Sequence, residues 1–164
     1  MTVAYRNHSV AYYSGNTTVT LPKPSGTTEG DIMIAVFANA DGTRTLDTLP
    51  SGWALLQSDV NTTTNSRGAW VAWKKAGASE GASYDFAFNF AFNGHAGIIS
   101  YSGGDTIDVS GETAWTTVGA GPWAPTAPSI TTTVDNCLDV WVACYRWTPS
   151  GSAPAFTPPS GYTE

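Results

Sequence analysis

Side chains that could perform acid–base or metal chemistry are scarce in this sequence. The only histidines are His8 and His95, and no Cys-x-x-Cys or His-Glu-x-x-His pattern is present. A zinc site therefore lacks ligands at the spacing that it requires. Pro50-Ser51-Gly52 is a turn signal and not the Gly-x-Ser-x-Gly elbow that presents a nucleophilic serine. We predict that the protein is not an enzyme and that it uses no cofactor.

Three acids form the best candidate for a metal site, and it is a weak one. Asp105 and Asp108, with Glu112 nearby, could offer carboxylate oxygens to Ca²⁺ from one loop. Their spacing does not match an EF-hand, and solvated turn acids that bond to their own backbone are the competing interpretation. A glycosidase would use paired carboxylates in a long cleft, which a small sandwich has little room to build. We predict no metal site, with these three residues as the calcium candidates.

The seven tryptophans divide into two groups by their surroundings. Trp70, Trp73 and Trp141 lie in predicted strands and are expected in the core, and Trp53 is expected to staple the turn before it. The remaining candidates lie in predicted loops and could contact a protein partner, stack on a glycan, or pack under their own loop; they are Trp115, Trp123 and Trp147.

Composition and charge exclude several classes of protein. The chain has 164 residues, of which 41% are hydrophobic and only 12% charged, and its net charge is −6. Aromatic residues at 12% give too much apolar area for a disordered chain. The negative charge argues against nucleic acid or an anionic membrane as a partner. No apolar run is long enough for a spanning helix, and the N-terminus lacks the pattern of a signal peptide.

The two cysteines, Cys137 and Cys144, are seven positions apart in one predicted strand. At about 3.3 Å per residue they would lie roughly 23 Å apart, which is too far for a disulfide. We predict two buried free thiols, as expected of a protein that folds in a reducing cytoplasm.

The elements that must position these residues show a period of two. Residues 84–92 alternate strictly, which predicts a half-buried strand with Tyr84, Phe86, Phe88, Phe90 and Phe92 on one face. Residues 32–38 are almost continuously apolar, which predicts a central strand. Further strands are predicted at 17–21, 54–60, 70–73, 96–101, 130–134 and 138–145.

Turn formers separate these segments, among them Asp41-Gly42, Asn93-Gly94 and Gly103-Gly104-Asp105. Short strands with turn signals at this spacing predict an all-β, antiparallel β-sandwich that is jelly-roll-like and almost free of helix. The long predicted loops, at 39–48 and 105–127, are of a length that is usually functional or mobile. The length suits a single domain over residues 1–164.

A pseudo-repeat of strand, loop and Pro-Ser-Gly-aromatic runs through the chain. Residues 30–36 are followed by Pro50-Ser51-Gly52-Trp53, and residues 136–142 by Pro159-Ser160-Gly161-Tyr162. The first copy leads into another predicted strand, whereas the second ends at Glu164. This difference indicates truncation at the C-terminus, or a final strand supplied by a neighbouring subunit.

The order of signatures resembles a β-sandwich domain that recurs in bacteriophage virion structural proteins of tail fibre, minor tail and head decoration type. Glu29-Gly30-Asp31 leads into an apolar strand, then come Pro50-Ser51-Gly52-Trp53, an aromatic strand ending in Lys74, and a Gly-rich turn at 77–81. The Tyr/Phe strand follows, then residues 96–101 closing on Ser102-Gly103, and finally Ile107-Asp108. The resemblance covers nearly the whole chain but carries no catalytic residues, and members continue past the second Pro-Ser-Gly-aromatic signature.

The resemblance implies a virion component that is made in the host bacterial cytoplasm and acts by protein–protein assembly on the particle surface. The implied partners are other virion proteins and further copies of the chain. By analogy we expect a homo-oligomer, and specifically a trimer. The alternative is a carbohydrate-binding module or receptor-binding domain that recognises host surface glycans through the loop tryptophans. The sequence does not separate head from tail location.

Overall fold

The computed structural model describes residues 2–40, 43–61, 67–111 and 128–142. They contain six strands and no helix. The strands are β1 (Ala4–Pro22), β2 (Ile32–Asn39), β3 (Leu46–Thr48), β4 (Ala54–Asn61), β5 (Arg67–Lys75) and β6 (Ser83–Ser102). The predicted all-β, antiparallel, helix-free class is therefore confirmed for the described part of the chain.

All six strands belong to one antiparallel sheet with the order β1-β6-β2-β5-β4, and β3 pairs separately with β6. Strand β2 lies in the middle, as its apolar run predicts. Met33, Ala35 and Phe37 belong to the main core, while Ile32 and Ile34 are buried outside that cluster. A strand that is buried on both faces needs apolar residues at successive positions, which explains the unbroken run.

The sheet folds over itself because its two longest strands bend. In the β2–β6 ladder Phe37 lies opposite Ala96, yet the Phe37 ring also contacts Phe86, ten positions earlier in β6, at 4.8 Å between centroids. A straight strand would separate Phe86 from Ala96 by about 33 Å. The bend lies where β1–β6 pairing jumps from Asn16↔Phe92 to Thr18↔Ala87.

The fold therefore has two facing layers made from one hydrogen-bonded sheet. The described residues contain no second, separate sheet of the kind that a jelly roll requires. The β-sandwich of two separate sheets, its jelly-roll arrangement and the single domain over 1–164 stay predictions.

Aromatic side chains fill the space between the layers. Phe88 contacts Trp70 at 5.2 Å and Phe92 at 4.8 Å between ring centroids. The buried apolar cluster draws on β1, β2, β5, β6 and the residues next to β4 and β5. It comprises Val19, Leu21, Met33, Ala35, Phe37, Trp53, Trp70, Ala72, Ala76, Tyr84, Phe86, Phe88, Phe92, Ala96 and Ile98.

Side chains in the first half of β1 form hydrogen bonds to the backbone of residues 20–25. The amide of Asn7 donates to the Ser25 carbonyl at 3.2 Å, the hydroxyl of Ser9 donates to the Pro22 carbonyl at 2.6 Å, and the hydroxyl of Tyr13 donates to the Thr20 carbonyl. These bonds join the first half of β1 to the chain after its bend.

The Pro50-Ser51-Gly52-Trp53 signature is the predicted turn with its aromatic staple. The Trp53 amide donates to the Pro50 carbonyl at 3.1 Å, and Gly52 has a φ of 81° that favours glycine. The Trp53 ring packs edge-on against Tyr84 and Phe86, each at 5.1 Å.

Several sequence predictions are wrong. Asn93-Gly94 is not a turn, since β6 runs through it; Phe90 points outward, with 58% of its surface exposed. The loop predicted at 39–48 contains the short strand β3, and the strand predicted at 17–21 is only the end of the much longer β1.

The described residues after β6 also differ from the predictions. Residues 130–134 and 138–142 form no strand, and residues 143–145 lie outside the described part. The second copy of the pseudo-repeat thus has no strand at 136–142, and its Pro-Ser-Gly-aromatic signature lies outside as well. Large apolar side chains are exposed here, namely Ile130, Val134 and Leu138. The sequence pattern of this segment alone was not enough to form a strand, because a strand also needs a neighbouring strand to share its backbone hydrogen bonds.

Candidate interaction surface

Most residues that the sequence predicts to take part in binding lie outside the described part of the chain. Trp115, Trp123 and Trp147 are among them, as are Glu112 and Cys144. Their proposed roles in an interface, in glycan stacking or as a calcium ligand stay predictions.

Asp105 and Asp108 have separate partners. The Asp105 carboxylate pairs with the Lys75 ammonium at 2.5 Å, and this hydrogen bond and charge hold the pKa of Asp105 below its usual value. Asp108 accepts hydrogen bonds from the hydroxyl and the amide of Thr133, which lower its pKa. The described residues bring together no group of three His, Cys, Asp or Glu side chains that could hold a metal. Asp105 instead joins the segment after β6 to Lys75 of β5, and Asp108 joins the start of that segment to Thr133 further along it.

Cys137 is exposed, so the prediction that it is a buried thiol is wrong. Its sulfur lies 3.3 Å from the Val134 carbonyl and 3.7 Å from the Asp108 carboxylate. Partial desolvation and the negative charge of Asp108 raise the pKa of the thiol. A protonated thiol is a poor nucleophile, so the acidic surroundings of Cys137 disfavour reactivity although the side chain is accessible.

The described tryptophans agree only in part with their predicted places. Trp70 and Trp53 are buried, whereas Trp73 is half-buried. Trp141 is also half-buried, but it lies in no strand, which contradicts its prediction as a core strand residue.

The surface that stands out instead is a row of exposed side chains on β1, an edge strand of the sheet. The exposed fractions are 56% for Tyr5, 74% for Val10 and 64% for Tyr12, and His8 is exposed between them. We call Tyr5, His8, Val10 and Tyr12 the β1 row. Exposed large apolar groups that lie side by side mark interaction sites more often than scattered ones do.

Rings from β6 extend the β1 row into a patch. Tyr12 lies opposite His95, with 5.1 Å between ring centroids. At the other end the Tyr5 ring meets Tyr101 edge-on at 6.2 Å, and the Tyr5 hydroxyl lies 2.7 Å from His8 Nδ1. Both histidines of the protein therefore lie in this one patch, among tyrosines and away from any metal-binding group of the described residues.

The beginning of β1 is anchored by an ion pair whose carboxylate is buried. The Arg6 guanidinium contacts both carboxylate oxygens of Asp31, at 2.6 and 2.9 Å, and Asp31 also accepts the Thr28 amide at 2.8 Å. The Asp31 side chain is only 4% exposed. This bidentate pairing gives the Glu29-Gly30-Asp31 signature a structural role, because it fixes the turn before β2 against β1.

Charge distinguishes the β1 row from the rest of the surface. The chain carries 13 acids, but the first of them is Glu29, so β1 has none. Arg6 is the only charged residue within Ala4–Pro22, and it is paired with Asp31. The patch is therefore uncharged when its histidines are neutral.

No family model matches this chain, and comparison with the curated proteins and with the solved structures finds no match either. Within the described residues, no helix has the length and apolar character needed to cross a bilayer.

Sequence reasoning missed the β1 row although a signal for it exists. His8, Val10 and Tyr12 alternate with Ser9, Ala11 and Tyr13, which is the period of a strand. The second set takes the inner face here, where Tyr13 packs against the core, so Val10 and Tyr12 point outward with His8. Only the pairing of β1 with β6 shows which side faces solvent.

Proposed function

We propose that this chain is a non-enzymatic structural protein of a bacteriophage virion, of the head decoration, fibre or tail-associated type. It acts by protein–protein assembly on the particle surface. The observation that carries the assembly role is the β1 row, an exposed aromatic and apolar surface on an edge strand without free charges. The virion assignment rests on the order of turn and strand signatures along the chain.

The chemistry of the surface supports binding through shape and apolar contact. Tyrosine rings supply large contact areas with few rotatable bonds, and they are enriched at the centres of protein interfaces. The carboxylates Asp31, Glu80, Asp105 and Asp108 are each engaged by neighbouring donors and do not converge on a cleft. This arrangement favours a contact surface over an acid–base site.

The proposal is tested on purified phage particles. Gradient-purified virions from a strain that encodes the chain are analysed by quantitative mass spectrometry. The chain is expected at a fixed copy number relative to the major capsid protein, across independent preparations. Its absence from washed particles, or a copy number that varies between preparations, contradicts the virion role.

A second candidate, a domain that recognises host surface glycans, has support from the exposed rings. Tyr12 and His95 present adjacent aromatic faces, and sugars stack on such faces. A glycan array probed with the purified chain and with Tyr12→Ala separates the two functions. Binding of one glycan class that Tyr12→Ala abolishes favours recognition, whereas a blank array favours assembly.

A further inference from the structure

We propose that β1 of one copy pairs antiparallel with β1 of a second copy, around a two-fold axis at Val10. This rests on the assembly role in the proposed function and names a surface for self-association, with a two-fold dimer in place of the trimer expected by analogy. The test uses the isolated protein, so its failure leaves the virion assignment untouched.

Within the part of the chain that the structure describes, no strand pairs with the outer edge of β1, and this edge is regular where the proposed pairing needs it. Among the described residues β6 is the one strand that pairs with β1, so the other side of β1 carries no ladder. From Asn7 to Ser14 the register with β6 runs without a break, and the bulges lie before Asn7 and after Ser14. A regular edge of this length is a template for another strand.

The charges favour a second copy as the occupant. Two chains that each carry a net charge of −6 repel one another over most of their surfaces. The acid-free segment 1–28 is where they can approach without repulsion, because its two charged residues are the basic Arg6 and Lys23. Edge strands of monomeric proteins usually carry an outward charge or a proline that blocks pairing, and residues 7–14 have neither.

The proposed register also repeats a contact that the structure already contains. With Val10 opposite the Val10 of the second copy, His8 of one copy faces Tyr12 of the other, and this pair occurs twice. Within the chain, Tyr12 already packs on His95 of the adjacent strand β6. The dimer would continue the same tyrosine–histidine row across the two-fold axis, and the two exposed valines would cover each other.

The opposite edge of the sheet is less suited to this role. Strand β4 carries a register shift between Leu55 and Gln57 and contains Asp59. The amide of Gln57 donates to the Ser110 hydroxyl at 3.1 Å, so the segment after β6 lies beside this edge. A bulge, an acid and a neighbouring segment are devices that oppose edge-to-edge pairing.

The first test places a lysine at the axis. Sedimentation equilibrium of the full chain is expected to show a dimer, and Val10→Lys is expected to raise the dimer dissociation constant at least about tenfold, because two ammonium groups would then face each other. Val60→Lys is the matched control, since Val60 is 43% exposed on edge strand β4; it should leave the dissociation constant unchanged. A wild-type monomer at the highest usable concentration, or equal effects of both substitutions, overturns the proposal.

The second test reads the register directly in a Cys137→Ser, Cys144→Ser background. Val10→Cys should form an intermolecular disulfide on mild oxidation, because directly opposed residues of an antiparallel pair meet the distance that the bond requires. Ser14→Cys is the control. In this register it lies eight positions, or roughly 26 Å, from its symmetry mate and should stay reduced. Cross-linking at position 14 in preference to position 10 overturns the proposed pairing.

Discussion

Glu80 shows at the scale of one residue how the fold holds a charge near its core. Its side chain is only 8% exposed, and one carboxylate oxygen accepts the Lys74 ammonium at 2.8 Å and the Tyr84 hydroxyl at 2.8 Å. The other oxygen accepts the Gly77 amide at 2.7 Å. Burial alone would raise the pKa of Glu80, but these donors and the positive charge of Lys74 hold it below the usual value of 4.5.

This cluster predicts a loss of stability in acid. A carboxylate whose pKa is lower in the folded state stabilises the fold above its unfolded pKa, and this contribution disappears as the pH falls through the folded value. Glu80→Gln should therefore lower the free energy of unfolding at pH 7 and cost little at a pH well below 4.5. Urea unfolding at several pH values, followed by tryptophan fluorescence, measures this; a difference between wild type and variant that does not change with pH contradicts the assignment.

Tyr84 belongs to the same cluster and was predicted only as a core aromatic residue. Burial and the negative charge of Glu80 raise the pKa of its hydroxyl, which therefore remains a donor. Sequence alternation placed the ring of Tyr84 correctly. It could not place the hydroxyl, because the hydroxyl's partner Glu80 comes from the preceding turn and is itself held by Lys74 of β5.

Strand β6 shows at the scale of an element how a local signal can mislead. Asn-Gly is a strong hairpin signal, and Asn93-Gly94 separates two alternating runs. The structure uses Gly94 for a different purpose: a Cβ at this position would overlap the backbone carbonyl oxygen of Ala38 in β2. Glycine therefore allows β2 and β6 to approach closely inside a continuous sheet.

A substitution at Gly94 tests this explanation. Gly94→Ala should lower the free energy of unfolding by about 3 kcal/mol, the upper part of the range for overpacked sites, because the obstructing atom is backbone in the middle of the sheet. Gly81→Ala is the control; the nearest atom to a Cβ there is 3.5 Å away, so it should be nearly neutral. A near-neutral Gly94→Ala, measured by chemical denaturation, would restore the turn interpretation.

At the scale of the whole molecule, the aromatic contacts between the layers hold the folded-over sheet together. Phe88 lies before the bend of β6, yet its ring meets Phe37 of β2 at 5.6 Å and Trp70 of β5 at 5.2 Å. Phe90, two positions later, is exposed and lies under the Arg44 guanidinium, 5.2 Å from its ring centroid. Strict alternation predicted that both rings face the core. At the bend, however, β6 loses its regular register with β1, and the Phe90 ring turns outward.

The pair gives a matched test of the two-layer architecture. Phe88→Ala should lower the free energy of unfolding by about 3–5 kcal/mol, because it leaves a cavity between the layers. Phe90→Ala should change it much less, since most of that ring is already in solvent. Equilibrium unfolding in urea compares them. Similar losses of unfolding free energy for both variants would show that the two rings share one environment, which would contradict a bend between them.

The sequence by itself determined the all-β class, the central position of β2 and the Pro-Ser-Gly turn with its aromatic staple. These features depend on neighbours in the chain: an apolar run, an alternation, a glycine with positive φ. Only the tertiary structure decided that β1 is an edge strand with its apolar side outward, that β6 continues through Asn93-Gly94, and that Asp31 binds Arg6. The physical reason is that exposure and pairing are properties of what lies opposite a residue, and those partners are distant in sequence.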